Sequence, residues 1–395
     1  MKRLLLFTLL LIGSLSFMFG QDMQMDKTEY KTLIPESKQS LLKNVDIIAN
    51  TQMGFRNDFF DGDYMGSKFK FEQFRFEMKG YVHEKIFFRF RHRYTSSFEP
   101  QSIDKVIKGV DMAFLRFDIS DKLQLSVGKM CADWGGIEFD LNPIDIYEYS
   151  DIIEMADNFL TGAGLYYQAS ENHGFAFQLL DSRTGTFEEL YDSIPDVKAS
   201  KVPLAIVFNW RGNFFDKKLS TIWSYSLFTE AKGYGMNYIA LGQQYKSDKL
   251  DVAYDFKISF EDLDRTGIVS NEVPDNVYNF ALKNTVYRSH WTRITYKMNQ
   301  KWHLSVDAFL DCALWKNQDM EYPQLKTDDK FRTVYSVVPT IEFFPWKDIN
   351  LKFFLGFVGR SYKYSDYAKT RPGLGLKDYS SGRVMIGLIS PLHIL

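Results

Sequence analysis

The sequence predicts an all-β protein: a transmembrane antiparallel β-barrel of about sixteen strands, with a long third extracellular loop folded into its lumen. Three observations carry the prediction. From Val45 onward, segments of about 8–12 residues alternate apolar and polar side chains between turn residues, which is the texture of barrel strands. The connections between those segments alternate short and long. Aromatic residues make up 16% of the chain, and many stand near segment ends, where an interfacial girdle would place them.

Taken in order, the chain opens on Lys2 and Arg3, the apolar run 4–19 and small residues near Gly20, which reads as a signal peptide over 1–20. The run is too short to span a bilayer comfortably, and no other long apolar stretch follows. Residues 21–44 are polar and charged and read as a periplasmic lead-in. Residues 45–395 form the barrel. Its strands are expected over 45–56, 69–82, 85–95, 110–119, 122–129, 162–170, 174–181, 203–211, 219–229, 236–245, 249–260, 284–297, 302–313, 331–343, 349–361 and 379–393. Short connections include 83–84, 120–121 and 171–173. Long ones include 57–68, 96–109, 130–161, 182–202 and 261–283, and only 230–235 is short for its class. Short periplasmic turns and long extracellular loops produce this alternation. A soluble all-β fold would also alternate, but a closed barrel of this size would leave its lumen unfilled. Tyr94, Tyr166, Tyr167, Trp210, Trp223, Trp302, Trp315 and Trp346 are the expected girdle.

The facing of the strands follows from the cost of charge in lipid. In the stretch 85–95, Ile86, Phe88 and Phe90 alternate with Arg89, Arg91 and Arg93, so the three guanidinium groups share one face, roughly 7 Å apart. Facing lipid, each arginine near the midplane would cost roughly 2–4 kcal/mol. The arginines therefore face the lumen. By the same parity Arg75, Glu77 and Lys79 point inward on the preceding segment and Arg116 on the following one. Phe69 and Phe71 lie on the other parity, so a bulge is expected near Glu72-Gln73. Closure of the barrel brings Lys352, Arg360 and Arg383 beside these strands, which makes one contiguous basic wall. Lumens of such barrels are polar in general, and the sharper reading is a wall that attracts anions.

The longest connection, 130–161, carries Trp134, Ile137, Phe139, Leu141, Ile144, Ile146, Ile152 and Ile153, too much apolar surface for an exposed loop. It should pack on the inner wall and narrow the channel, or else across a subunit interface. It also carries Asp133, Glu138, Asp140, Asp145, Glu148, Asp151, Glu154 and Asp157, with no Lys or Arg. Asp133, Trp134, Glu138, Asp140, Asp145, Glu148 and Asp151 are the candidate constriction residues. Folded opposite the basic wall, they would set up a transverse field.

The succession F-R-F-E-M-K-G (74–80), D-M-A-F-L-R-F (111–117), S-V-G-K (126–129), W-G-G-I-E-F-D-L-N-P (134–143) and I-E-F-F-P (341–345) resembles the phosphate-selective porin O and P family. The resemblance implies a sixteen-stranded, trimeric outer-membrane channel with an inward-folded third loop and basic residues along an anion path. Arg89, Arg91 and Arg93 match that path by character. The chain ends His393-Ile394-Leu395, where such barrels usually end in an aromatic residue.

The sequence carries no Gly-x-Ser-x-Gly, His-Glu-x-x-His or phosphate-loop motif. No catalytic residue, metal or cofactor is expected. The one pair a barrel hydrolase could use is Ser289-His290. Cys131 and Cys312 lie far apart, and sequence does not say whether they pair. A net charge of −2 gives no signal for nucleic acid. The expected partners are outer-membrane lipid, small anions or other hydrophilic solutes, and two further copies of the chain. The expected function is passive diffusion of small solutes, favouring anions such as phosphate. Two alternatives stand beside it. One is a barrel sealed by Trp134, Tyr147 and Tyr149 that serves as a scaffold; the other is a sugar-guiding channel with lumen aromatics as a stacking track.

Overall fold

The computed structural model describes residues 45–96, 104, 106–275, 277–316, 323–325 and 328–395, so the predicted signal peptide and lead-in lie outside the described residues. The strands are β1 (Val45–Phe60), β2 (Asp63–His83), β3 (Ile86–Arg93), β4 (Val110–Ser120), β5 (Leu123–Cys131), β6 (Phe159–Ser170), β7 (His173–Asp181), β8 (Leu204–Phe214), β9 (Leu219–Ala231), β10 (Tyr234–Lys246), β11 (Leu250–Leu263), β12 (Lys283–Lys297), β13 (Trp302–Trp315), β14 (Lys330–Phe343), β15 (Lys352–Tyr364) and β16 (Tyr379–His393). Each pairs antiparallel with its neighbours in sequence, and β1 closes on β16 to form a sixteen-stranded barrel. Closure removes every free strand edge, which a spanning sheet in lipid requires.

Period-two alternation decides which side chains face lipid. Leu115, Val127, Phe177, Phe208, Ile294, Val306, Val337, Leu355 and Ile386 point outward and are exposed, while their sequence neighbours are largely buried inside the wall. Between β1 and β2 the pairing slips from Gln52–Gln73 to Met53–Phe71, leaving Glu72 as the extra residue of a bulge. That slip reconciles outward Phe71 with outward Phe74.

Two expectations are corrected, and one open question is answered. The first extracellular connection is not a long loop over 57–68. Strands β1 and β2 stay paired to Phe60–Asp63, and Asp61-Gly62 closes the hairpin with both φ angles positive (48° and 90°). An Asp-Gly pair suits that turn because both positions need the left-handed region. Two girdle candidates face inward: Tyr166 is hydrogen-bonded to Gln178, and Trp315 is buried against Phe331 and Tyr367. Tyr94, Tyr167, Trp223, Trp302 and Trp346 are exposed. Cys131 and Cys312 are both free, on β5 and β13, eight strands apart around the barrel.

Loops fill much of the inside. One apolar cluster joins Trp134 of the third loop to Phe228, Tyr238, Tyr287, Phe331 and Tyr367, and a second joins Ile137, Ile144 and Tyr147 to Trp291, Phe309 and Phe354. The apolar residues of the loop thus meet inward-pointing wall residues, which accounts for its departure from ordinary loop composition.

Candidate functional site

The register of β2, β3 and β4 stacks the basic residues in levels. Arg93 lies opposite Arg75, Arg91 opposite Glu77, Arg89 opposite Lys79, and Arg116 opposite Phe87 one level nearer the periplasmic turns. All six basic side chains are on the inner face. Their partners differ by level. Arg89 Nη2 is 2.9 Å from the Glu77 carboxylate, with Lys79 Nζ 3.9 Å away on the same oxygen. Arg116 Nη2 donates to the Tyr81 hydroxyl at 2.8 Å and its guanidinium lies over the Phe87 ring at 4.4 Å.

The top of the ladder closes on a residue that the alternation did not single out. Asp111 is fully buried, with Arg75, Arg91 and Arg93 at 3.4, 3.3 and 3.5 Å from its carboxylate. The β3–β4 pairing slips from Arg91–Met112 to His92–Val110, so Asp111 is the extra residue of a bulge and turns inward. Its sequence signal was an acid beginning D-M-A-F-L-R-F, directly across from the arginines.

The third loop is held by its own backbone and by its acids. The Asp133 N–H donates to Gln178 at 2.7 Å, Asn209 Nδ2 donates to the Asp133 carbonyl at 2.8 Å, and Ser224 Oγ donates to the Trp134 carbonyl at 2.5 Å. Trp134 itself packs on Tyr238 and Phe228, with ring centroids 4.7 and 5.8 Å apart. At the short helix Ile137–Asp140, the Asp255 carboxylate of β11 accepts from the backbone N–H of Ile137 (2.8 Å) and Glu138 (2.9 Å). The approach is so close that a Cβ on Gly136 would stand 2.7 Å from that carboxylate, and one on Gly242 of β10 would stand 2.7 Å from the Ile137 nitrogen. The glycine of W-G-G-x-E thus fits by space rather than by φ. Glu138 pairs with Lys257 and accepts from the backbone and hydroxyl of Ser150, both at 2.7 Å.

The remaining loop acids reach the wall at other points. Asp140 lies 2.9 Å and Asp133 3.6 Å from Arg211 of β8. Asp145 binds Lys352 at 2.7 Å, and Glu148 binds Arg360 and Arg383, both at 2.9 Å. Asp151 pairs with Arg332 and Arg360. The acidic loop, expected opposite the basic wall, is in direct contact with one part of that wall. Lys352, Arg360 and Arg383 are in direct contact with the loop and neutralised by it. Opposite charges in a low-dielectric lumen attract strongly, and an unpaired buried charge is costly, so loop and wall close onto each other. Sequence reasoning missed Arg211, Lys257 and Arg332 as loop partners, although each sits at an inward parity position.

A family model described as phosphate-selective porin O and P matches residues 45–373, most of the chain. The chain belongs to the phosphate-selective porin O and P family. As a porin of this family it is a passive diffusion channel for small hydrophilic solutes in the outer membrane of a Gram-negative bacterium. Solved structures agree on the fold. The outer-membrane channel DcaP of Acinetobacter baumannii superposes with a TM-score of 0.59 at 10% identity, covering 88% of this chain and 98% of that one. OprB of Pseudomonas putida gives 0.56 at 8% identity, covering 90% and 96%. OmpF of Salmonella typhi gives 0.55 at 10% identity, covering 87% and 98%. No curated protein matches the chain significantly in sequence.

Within this phosphate-selective porin O and P chain, the third loop borders two cavities. One is lined by Arg89, Arg116 and Arg211 with Asp133, Asp140 and Phe139. The other, of about 340 Å³, is lined by Asp145, Tyr147, Arg293, Glu342 and Lys352. Ser289 and His290 of the family member point to opposite sides of the wall. Ser289 bonds Asp311 inside at 2.5 Å, and His290 bonds Tyr254 outside at 2.8 Å, so they form no nucleophile–base pair.

Proposed function

We propose that the porin prefers anions and that the strip formed by β2, β3 and β4 carries the preference. One observation supports this reading above the others. Asp133, Glu138, Asp140, Asp145, Glu148 and Asp151 of the third loop each have a basic partner on β8, β11 or β14–β16. The β2–β4 strip keeps its own balance: Arg75, Lys79, Arg89, Arg91, Arg93 and Arg116 against Glu77, Asp111 and Asp118. Six basic groups against three acidic ones leave a positive excess on this part of the inner wall, and such an excess concentrates anions near it. Arg89 and Arg116 border the cavity beside the loop and are the groups a permeating anion would meet there. The other members of the proposed lining are Lys352, Arg360 and Arg383, whose role in this reading is to hold the constriction loop rather than to bind solute. The reading includes a homotrimer, supported by the family resemblance.

The test is a reversal potential across a planar bilayer in a KCl gradient. The anionic sign is expected, with addition of phosphate reducing the chloride current. Replacing Arg89 and Arg116 together with Ala should move the potential toward the cationic side. A potential unaffected by the double replacement would remove the strip from the mechanism.

A further inference from the structure

Strand β12 breaks the outward texture of the barrel. Its outward-parity side chains are Val286, which its neighbours cover, and then Arg288, His290, Thr292, Ile294 and Tyr296, alternating with Tyr287, Ser289 and Trp291, which are buried inside. Val286 to Tyr296 spans the roughly 9–11 residues that a tilted strand needs to cross the hydrocarbon. Arg288 lies within that span. It is exposed, and it makes no ion pair or side-chain hydrogen bond with any described residue. Its outward neighbours are Ile258 on β11 and Cys312 on β13; one level higher stand Phe260, Val286 and Leu314. The polar groups below it are partly satisfied among themselves, since His290 Nδ1 and the Tyr254 hydroxyl are 2.8 Å apart.

The position explains how such a charge is tolerated. Arg288 sits two residues, roughly 5 Å of height, below the top of the apolar span. A guanidinium on its aliphatic stem can rise that far to the interface. Directly above, at the rim of the same strands, stands exposed Lys316, whose backbone N–H donates to the Asn284 carbonyl at 2.9 Å. Two cations thus stand in one outward column, one in the span and one at its edge.

We propose that Arg288, with Lys316 above it, binds the phosphate of an outer-leaflet lipid against the outside of β12 and β13. Charge complementarity selects this occupant. A planar guanidinium takes a phosphate through two parallel hydrogen bonds, and the outer interface is where lipid phosphates stand at this height. The site faces away from the lumen, so it rests on the outer-membrane placement and not on the anion preference of the channel.

The test is native mass spectrometry of the full-length porin in detergent. The probes are a bis-phosphorylated lipid A, its dephosphorylated form, and inorganic phosphate as competitor. Retention of the phosphorylated lipid should fall about tenfold or more in Arg288→Gln, as expected for loss of a charge-assisted contact. It should fall less in Lys316→Gln and largely persist in Arg288→Lys. Single-channel conductance of Arg288→Gln should equal that of the parent, which also shows that the barrel has folded. Equal retention by parent and Arg288→Gln would overturn the proposal. So would equal binding of the dephosphorylated lipid, displacement by millimolar phosphate alone, or separation of associated copies in Arg288→Gln without a change in lipid retention.

Discussion

Glu138, in the third loop, and Lys257, on the inner face of β11, form an ion pair in which neither side chain is accessible to solvent. The two residues are 119 positions apart. Around them the Asp255 carboxylate holds the start of the loop helix and Ser150 closes on Glu138, so the pair sits inside a hydrogen-bonded latch. The latch fixes the deepest apolar part of the loop to the wall.

Removing one partner leaves the other charge buried, which costs about 3–5 kcal/mol. That cost falls on the loop, because the barrel ladder is independent of it. Lys257→Met should therefore give noisier single-channel currents, a higher mean conductance and faster proteolysis within 132–158, with the heat-induced gel shift of the barrel nearly unchanged. Glu138→Met combined with Lys257→Met should recover part of the quiet, low-conductance state. Parent-like currents and proteolysis in the single variant would show that the latch does not hold the loop.

Close approach gives a second handle on the same contact. A methyl group on Gly136 would stand 2.7 Å from the Asp255 carboxylate, and one on Gly242 would stand 2.6 Å from it. Overpacking of this kind typically costs about 1–3 kcal/mol. Gly136→Ala and Gly242→Ala should each reproduce the loosened-loop currents without removing any charge. Should both conduct like the parent, the loop tolerates displacement and its position is set elsewhere.

The strands were legible because a single strong term sets them. Charge facing lipid is so costly that parity alone places Arg89, Arg91, Lys352 and Arg383 inside, and the bulge at Glu72 follows from Phe69 and Phe71 changing parity. The apolar content of 130–161 likewise announced a packed loop. What stayed hidden depends on three-dimensional neighbours. Nothing local to Glu138 names Lys257, and nothing local to Asp111 says that a bulge turns it inward. The tight turn at Asp61-Gly62 was written in the sequence, but the expectation of a long extracellular loop there outweighed it. Trp315 could serve a girdle or a plug equally well by composition, and loop packing decided for the plug.

The acids facing Arg211 should make selectivity depend on pH. Burial pushes the Asp133 carboxyl up to about 6; Arg211 opposes the shift and the neighbouring Asp140 adds to it. Above that pH Asp133 is ionised, and below it the cavity loses one negative charge. Anion preference should therefore rise as pH falls through about 6, read as a shift of reversal potential between about pH 7.5 and pH 5. Asp133→Asn should hold the low-pH value throughout. The folded carboxyl keeps its proton to a higher pH than its ordinary value of 3.8, so folding also gains as pH falls from about 6 toward 4. A pH step that survives in Asp133→Asn would assign the titration to another group.

Asp111 offers the sharpest test of the basic strip, because it is the single carboxylate shared by three arginines. Asp111→Asn keeps the shape and removes the charge. Arg75, Arg91 and Arg93 would then face one another with no acid between them, a loss of about 3–5 kcal/mol for a buried network. Two consequences pull apart. The barrel should unfold at a lower temperature, read by the heat-induced gel shift. The strip should also carry one more unit of positive charge, so the reversal potential should become more anionic. Adding Arg91→Met to Asp111→Asn removes one uncompensated guanidinium and should return both readings toward the parent. A reversal potential that stays at the parent value in Asp111→Asn would mean that permeating ions do not feel this part of the strip, and would leave the cavity lined by Arg89, Arg116 and Arg211 as the place where charge is selected.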